Sequence, residues 1–84
     1  MGTVRIRYWA GAKAAAGTAL EEVVADTPRQ ALDQARRRRA DAGFDRVLAA
    51  SSLLIDGRAA HEEDLDGPVT GSVELEVLPP FAGG

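Results

Sequence analysis

The sequence predicts an α+β domain in which a mixed β-sheet carries one main helix on one face. Three observations predict it. Residues 4–9 and residues 73–78 each alternate apolar and polar side chains with the period of a half-buried strand. Between them, Thr27-Pro28-Arg29-Gln30 has the makings of a helix start. Further on, Asp56-Gly57 sits between two short runs as a tight hairpin turn. Residues 1–78 make one domain and residues 79–84 an extended C-terminal tail. Repeats, linkers and low-complexity segments are absent.

In Val4-Arg5-Ile6-Arg7-Tyr8-Trp9, alternation places Val4, Ile6 and Tyr8 on one face and Arg5, Arg7 and Trp9 on the other. Residues 11–17 read as a loose segment between glycines. Ala19-Leu20-Glu21-Glu22-Val23-Val24 reads as a second strand, hairpin-paired with the first, although Ala and Glu are poor strand formers. Thr27 caps the helix, Pro28 suits its first position, and Gln30 completes a capping box. Ala31, Leu32, Ala35 and Ala42 form a thin apolar stripe, and Gly43 is the expected left-handed terminator before Phe44. Residues 44–49 fit another short helical turn. Ser52-Leu53-Leu54-Ile55 is a brief strand that Asp56-Gly57 folds back through Arg58-Ala59-Ala60. After Gly67-Pro68 and Gly71, the last strand points Val73, Leu75 and Val77 inward and Glu74, Glu76 and Leu78 outward.

Composition narrows the function. The chain has 84 residues, 45 % of them hydrophobic and 27 % charged, which suits one soluble domain. A domain of this size buries roughly 60 to 65 % of the surface its unfolded chain exposes. Much of the apolar fraction is Ala, so stability rests on few large side chains. A net charge of −3 and a pI near 5.0 give no general attraction to nucleic acid or anionic membranes, and neither is an expected partner. The absence of Cys excludes disulfides, thiolate metal sites and cysteine nucleophiles. Early charges at Arg5 and Arg7 interrupt any signal-peptide core, and a cytoplasmic location is expected. Ile6 stands where a myristoylation signal needs Ser or Thr.

No catalytic constellation is visible. His61 beside Glu62, Glu63 and Asp64 reads as a solvated turn without metal-ligand spacing, so no metal site is expected. The run Arg36 to Arg39 wraps most of a helix at about 100° per residue and forms no single basic face. At least one of these arginines lays its stem along the core edge and sends its head outward, and the run complements the helix dipole.

The ending, Leu78-Pro79-Pro80-Phe81-Ala82-Gly83-Gly84, carries the most functional information. Two prolines stop the strand and stiffen the start of the tail. Two glycines bring backbone and carboxylate through a channel too narrow for a Cβ. Glycine-rich ends are common in themselves; their placement after a strand and two prolines is not.

The compact arrangement of these elements puts the first and last strands side by side, which is the ubiquitin-like β-grasp. With strands and tail in place, the chain resembles the sulfur-carrying small subunit of molybdopterin synthase, in the family that includes the thiamine sulfur carrier. The resemblance spans essentially the whole chain. Trp9-Ala10-Gly11-Ala12-Lys13 with Gly17, Leu54-Ile55-Asp56-Gly57-Arg58 and the Pro-Pro-Phe-Ala-Gly-Gly ending carry it. Gly71-Ser72 replaces the family's usual Gly-Asp pair, and Asp56 stands where Asn is commoner.

The resemblance implies a chemistry. An activating enzyme of the ubiquitin-activating type uses ATP to join Gly84 to AMP, and this chain holds no cofactor permanently. A persulfide from a sulfurtransferase or cysteine desulfurase then gives a Gly84 thiocarboxylate, which donates sulfur to a pterin precursor in the large synthase subunit. Gly83, Ala82 and Phe81 thread the partner's channel. Trp9, Leu78 and Lys13 face the partners, with Trp9 and Leu78 adjacent on the outward face. The alternatives are a carrier for cysteine, thiamine or tRNA thiolation, a ubiquitin-like covalent modifier, and an interaction domain with an inert tail.

Overall fold

A computed structural model describes residues 1–80 of the chain. Its elements are β1 (Gly2–Tyr8), α1 (Ala10–Ala16), β2 (Leu20–Ala25), α2 (Pro28–Arg39), α3 (Ala42–Ala50), β3 (Ser52–Ile55), β4 (Arg58–Ala59), a 3-10 helix (Glu62–Asp66) and β5 (Ser72–Leu78). The strand order is β2-β1-β5-β3-β4. β1 and β5 run parallel at the centre, and the other neighbours are antiparallel. The first and last strands are therefore side by side, as expected.

Alternation is obeyed on both central strands. Val4, Ile6, Tyr8, Leu75 and Val77 are buried on the inner face. Helical residues from three elements cover them: Ala12 from α1, Ala31, Leu32 and Ala35 from α2, and Phe44 and Leu48 from α3. The Tyr8 and Phe44 rings meet edge to face with centroids 5.7 Å apart.

Gln30 Oε1 accepts from the Asp26 amide and so does not close the expected capping box on Thr27, but the Thr27 hydroxyl accepts from the Gln30 amide at 3.1 Å, so the α2 start is where its sequence indicates. Its end is not. Ala40, at φ +49°, closes the helix, and its amide donates to the Arg36 carbonyl. Asp41 then caps α3 through the Gly43 and Phe44 amides. Ala42 and Gly43 thus open the next helix instead of extending and ending the first. Asp41, a strong capping residue, is the signal that marks this restart.

The segment expected to be loose is the helix α1. Gly11 is a poor helix former and no side chain caps the start, yet the alanines beyond it are the best formers available. Gly17 ends it at φ +78°, where its amide reaches the Lys13 carbonyl at 2.9 Å. The Asp56-Gly57 turn has both residues at positive φ, the geometry of a two-residue hairpin, and Asp56 Oδ1 accepts from the Glu74 amide.

Candidate functional site

β1 and β5 end together. Tyr8 pairs with Val77, so Trp9 and Leu78 are the next residues along the two strands, at the edge from which Pro79 and Pro80 lead away. The Trp9 amide donates to the Val77 carbonyl at 3.2 Å, fixing this corner. Phe81, Ala82, Gly83 and Gly84 lie outside the described residues.

On the outer face the Trp9 side chain is 44 % exposed and its indole Nε1 donates to Glu76 Oε2 at 2.9 Å. The Arg7 guanidinium lies 5.8 Å from the ring centre. The register sets Arg5 between Glu22 and Glu74, and Arg7 beside Glu76. Arg5 approaches Glu22 at 3.5 Å and Arg7 approaches Glu74 at 4.0 Å, exposed pairs that contribute only tenths of a kcal/mol each, on the order of 0.5. Leu78 is half-buried.

Two residues not singled out from the sequence join this corner. Leu20 pairs with Arg7, and Leu54 pairs with Glu76, so both stand on the outer face. Directly opposed residues share a face, so Leu20, Arg7, Glu76 and Leu54 form one row across four strands, and Trp9 and Leu78 follow in the next row. The alternation of the short strands held this information; their pairing partners did not show in the sequence. Lys13 is exposed on α1, one turn beyond Trp9, and its amide donates to the Trp9 carbonyl at 3.3 Å.

The inner face of the same corner is also charged. Glu21 pairs with Ile6 and so points inward, beneath the helices. Its carboxylate accepts from the Tyr8 hydroxyl and from Arg39, each at 2.6 Å, and Arg38 lies at 3.4 Å. Arg39 also donates to the carbonyls of Ala16 and Ala35, and its guanidinium lies 4.5 Å from the Phe44 ring centre. Of the four arginines, Arg39 lies at the core edge without the outward-projecting head expected of an arginine there. The head turns inward because a carboxylate, two carbonyls and two rings satisfy it. Burial, with the Glu21 hydrogen bond, pushes the Tyr8 hydroxyl well above its usual titration range.

Elsewhere, Arg29 clamps the 3-10 helix through Asp66 at 2.7 Å and Glu62 at 2.8 Å. His61 is exposed and 3.4 Å from Asp64. Among the described residues, no group of three or more His, Cys, Asp or Glu is placed to hold a metal ion, and no helix is long and apolar enough to cross a membrane.

Comparison with known proteins adds to this geometry. No family model matches the sequence, and no curated protein sequence does. Solved structures do match. Small archaeal modifier protein 1 from Methanosarcina acetivorans superposes with a TM-score of 0.82 at 22 % identity, covering 100 % of this chain and 98 % of its own. Molybdopterin converting factor subunit 1 from Pyrococcus furiosus gives 0.77 at 18 % identity, with 96 % and 100 % covered. Subunit 1 in the complex of subunits 1 and 2 of the Helicobacter pylori molybdopterin-converting factor gives 0.68 at 17 % identity, with 98 % and 99 % covered. With a parallel β1–β5 pair at the centre of a mixed five-stranded sheet, this chain has the ubiquitin-like β-grasp fold of the molybdopterin converting factor subunit 1 proteins and small archaeal modifier proteins.

Proposed function

We propose that this protein is a sulfur carrier whose Gly84 carboxylate is adenylated and converted to a thiocarboxylate that donates sulfur in molybdopterin synthesis. The observation that carries the reading is a β-grasp body, shared with molybdopterin converting factor subunit 1, whose last strand leads directly into Pro-Pro-Phe-Ala-Gly-Gly.

A free carboxylate resists nucleophiles because its leaving group is poor. Adenylation by a partner enzyme supplies AMP as the leaving group and releases pyrophosphate from ATP. A persulfide terminal sulfur then attacks the Gly84 carbonyl carbon, the bond to AMP breaks, and reductive cleavage of the resulting acyl disulfide by a thiol leaves the thiocarboxylate. The chain contributes the carried atom and the docking surface, and its partners contribute the catalysis. On the outer face Trp9 and Leu78 lie next to a row in which Arg7 and Glu76 stand between Leu20 and Leu54, a mixture of aromatic, aliphatic and charged groups of the kind docking surfaces favour. The Helicobacter pylori complex of subunits 1 and 2 supports a large synthase subunit as one partner. An activating enzyme is the other.

A second reading, covalent attachment of Gly84 to lysines of target proteins, draws on the likeness to small archaeal modifier protein 1. Both begin with the acyl-adenylate. Incubation with ATP, a persulfide donor and the activating enzyme tests the first reading: intact mass should rise by the exchange of one oxygen for one sulfur, and deletion of Gly84 should abolish the gain. An unchanged mass under conditions that release pyrophosphate excludes the carrier reading.

A further inference from the structure

The sequence contains nine arginines and one lysine, Lys13. Six of the arginines stand in ion pairs: Arg5, Arg7, Arg29, Arg36, Arg38 and Arg39. Lys13 is exposed and pairs with no carboxylate among the described residues. Structural cations are thus supplied by guanidinium groups, which stay protonated and do not acylate. The single ε-amine is left over.

Its position is specific. The other amine, at Met1, lies 3.5 Å from Asp26 at the start of β1. β1 and β5 are parallel, so that start lies beside Ser72, and a seven-residue strand separates it by about 20 Å from the end where the chain leaves β5. α1 begins at that departing end, and Lys13 is one helical turn from Trp9.

We propose that Lys13 is an acceptor site for self-conjugation, acylated by the activated Gly84 of a second copy of this chain, and that the modification silences the acceptor's docking face. The inference rests on the reading that Gly84 is adenylated. The neutral Lys13 Nζ attacks the Gly84 carbonyl carbon. An N–C bond forms, the bond from that carbon to the AMP oxygen breaks, AMP leaves with the electron pair, and Nζ releases a proton to solvent. The product is two chains less one water, with ATP converted to AMP and pyrophosphate. α1 starts at the end where the chain leaves β5, so a donor copy held there by its activating enzyme has its own Lys13 close to the occupied end, and the acceptor is an undocked copy. Where persulfide is plentiful it captures the adenylate first; where it is scarce the amine competes.

The experiment mixes unlabelled chain with a nitrogen-15-labelled acceptor lacking Gly84, which accepts but is never activated, together with activating enzyme and ATP. Two acceptors are compared, one with Lys13 and one carrying Lys13→Arg. Pyrophosphate release, intact mass and peptide mapping are read with and without a persulfide donor. The expected product joins labelled to unlabelled chain with the branch on Lys13, is absent with the Lys13→Arg acceptor, and falls at least tenfold when persulfide is added. The purified conjugate of the labelled acceptor should bind the activating enzyme at least tenfold more weakly than the free acceptor does. Pyrophosphate release with no conjugate, or equal conjugation of the two acceptors, overturns the inference and leaves the carrier reading standing. Absence of pyrophosphate release overturns the adenylation on which both rest.

Discussion

Tyr8 and Trp9 are consecutive, and each heads a trio of aromatic ring, arginine and glutamate on opposite faces of one sheet. Tyr8 bonds Glu21, which bonds Arg39. Trp9 bonds Glu76, with Arg7 beside the ring. The chemistry is nearly the same and the burial is not: the Glu21 and Arg39 side chains are 15 % and 17 % exposed, whereas Trp9 itself is 44 % exposed. Removing water makes a charge dependent on its protein partner, so the inner trio holds β1, β2 and the helices together. Leaving water in place keeps the outer trio weak within the fold and available to a partner.

Deleting the carboxylate from each trio separates the two roles most strongly. Glu21→Ala strands the Arg39 guanidinium and the Tyr8 hydroxyl in a part-buried site and should cost about 3 kcal/mol of stability in denaturant melts. Glu76→Ala removes a bond that water replaces and should cost less than about 0.5 kcal/mol. Equal losses would remove the distinction between the faces.

Trp9→Ala reads the outer trio from its other side. It should weaken binding to the activating enzyme or large subunit by about 2 kcal/mol in titrations. The same variant should lose far less stability than Ile6→Ala or Leu75→Ala, which open cavities at fully buried positions and cost about 2 to 5 kcal/mol. A large stability loss with unaltered affinity would make Trp9 part of the core.

The smallest effect comes from an exposed charge far from either trio. Arg29 holds the Asp66 carboxyl below the usual carboxylate range through their hydrogen bond. A carboxyl depressed in the folded state contributes stability that is present above its unfolded pKa and lost as pH falls through the folded one. Asp66→Asn should therefore lower the melting temperature slightly at neutral pH, and its curve should converge on the parent's below about pH 4. Parallel curves down to the lowest pH would show that the pair does not act through charge.

The two trios also mark where sequence reasoning reaches its limit. The outer one comes from strict alternation in the two central strands, which put Arg5, Arg7 and Trp9 opposite Glu74, Glu76 and Leu78. The inner one depends on Glu21 facing the helices in a strand whose pattern is mixed, and on Arg39 turning back at the close of α2. Both are consequences of register and helix termination, set by tertiary packing. The same holds for α1, whose helix forms against the core through Ala12 despite a weak start, and for Ala40, which takes a left-handed conformation without being glycine because Asp41 begins the next helix.

Whether this body presents Gly84 for sulfur transfer is read by mass spectrometry of the C-terminal peptide isolated from cells grown with ample sulfur. The expected result is a Gly84 peptide carrying one sulfur in place of one oxygen. Gly84 found in isopeptide linkage to lysines of other proteins, with no sulfur-bearing form, would contradict it.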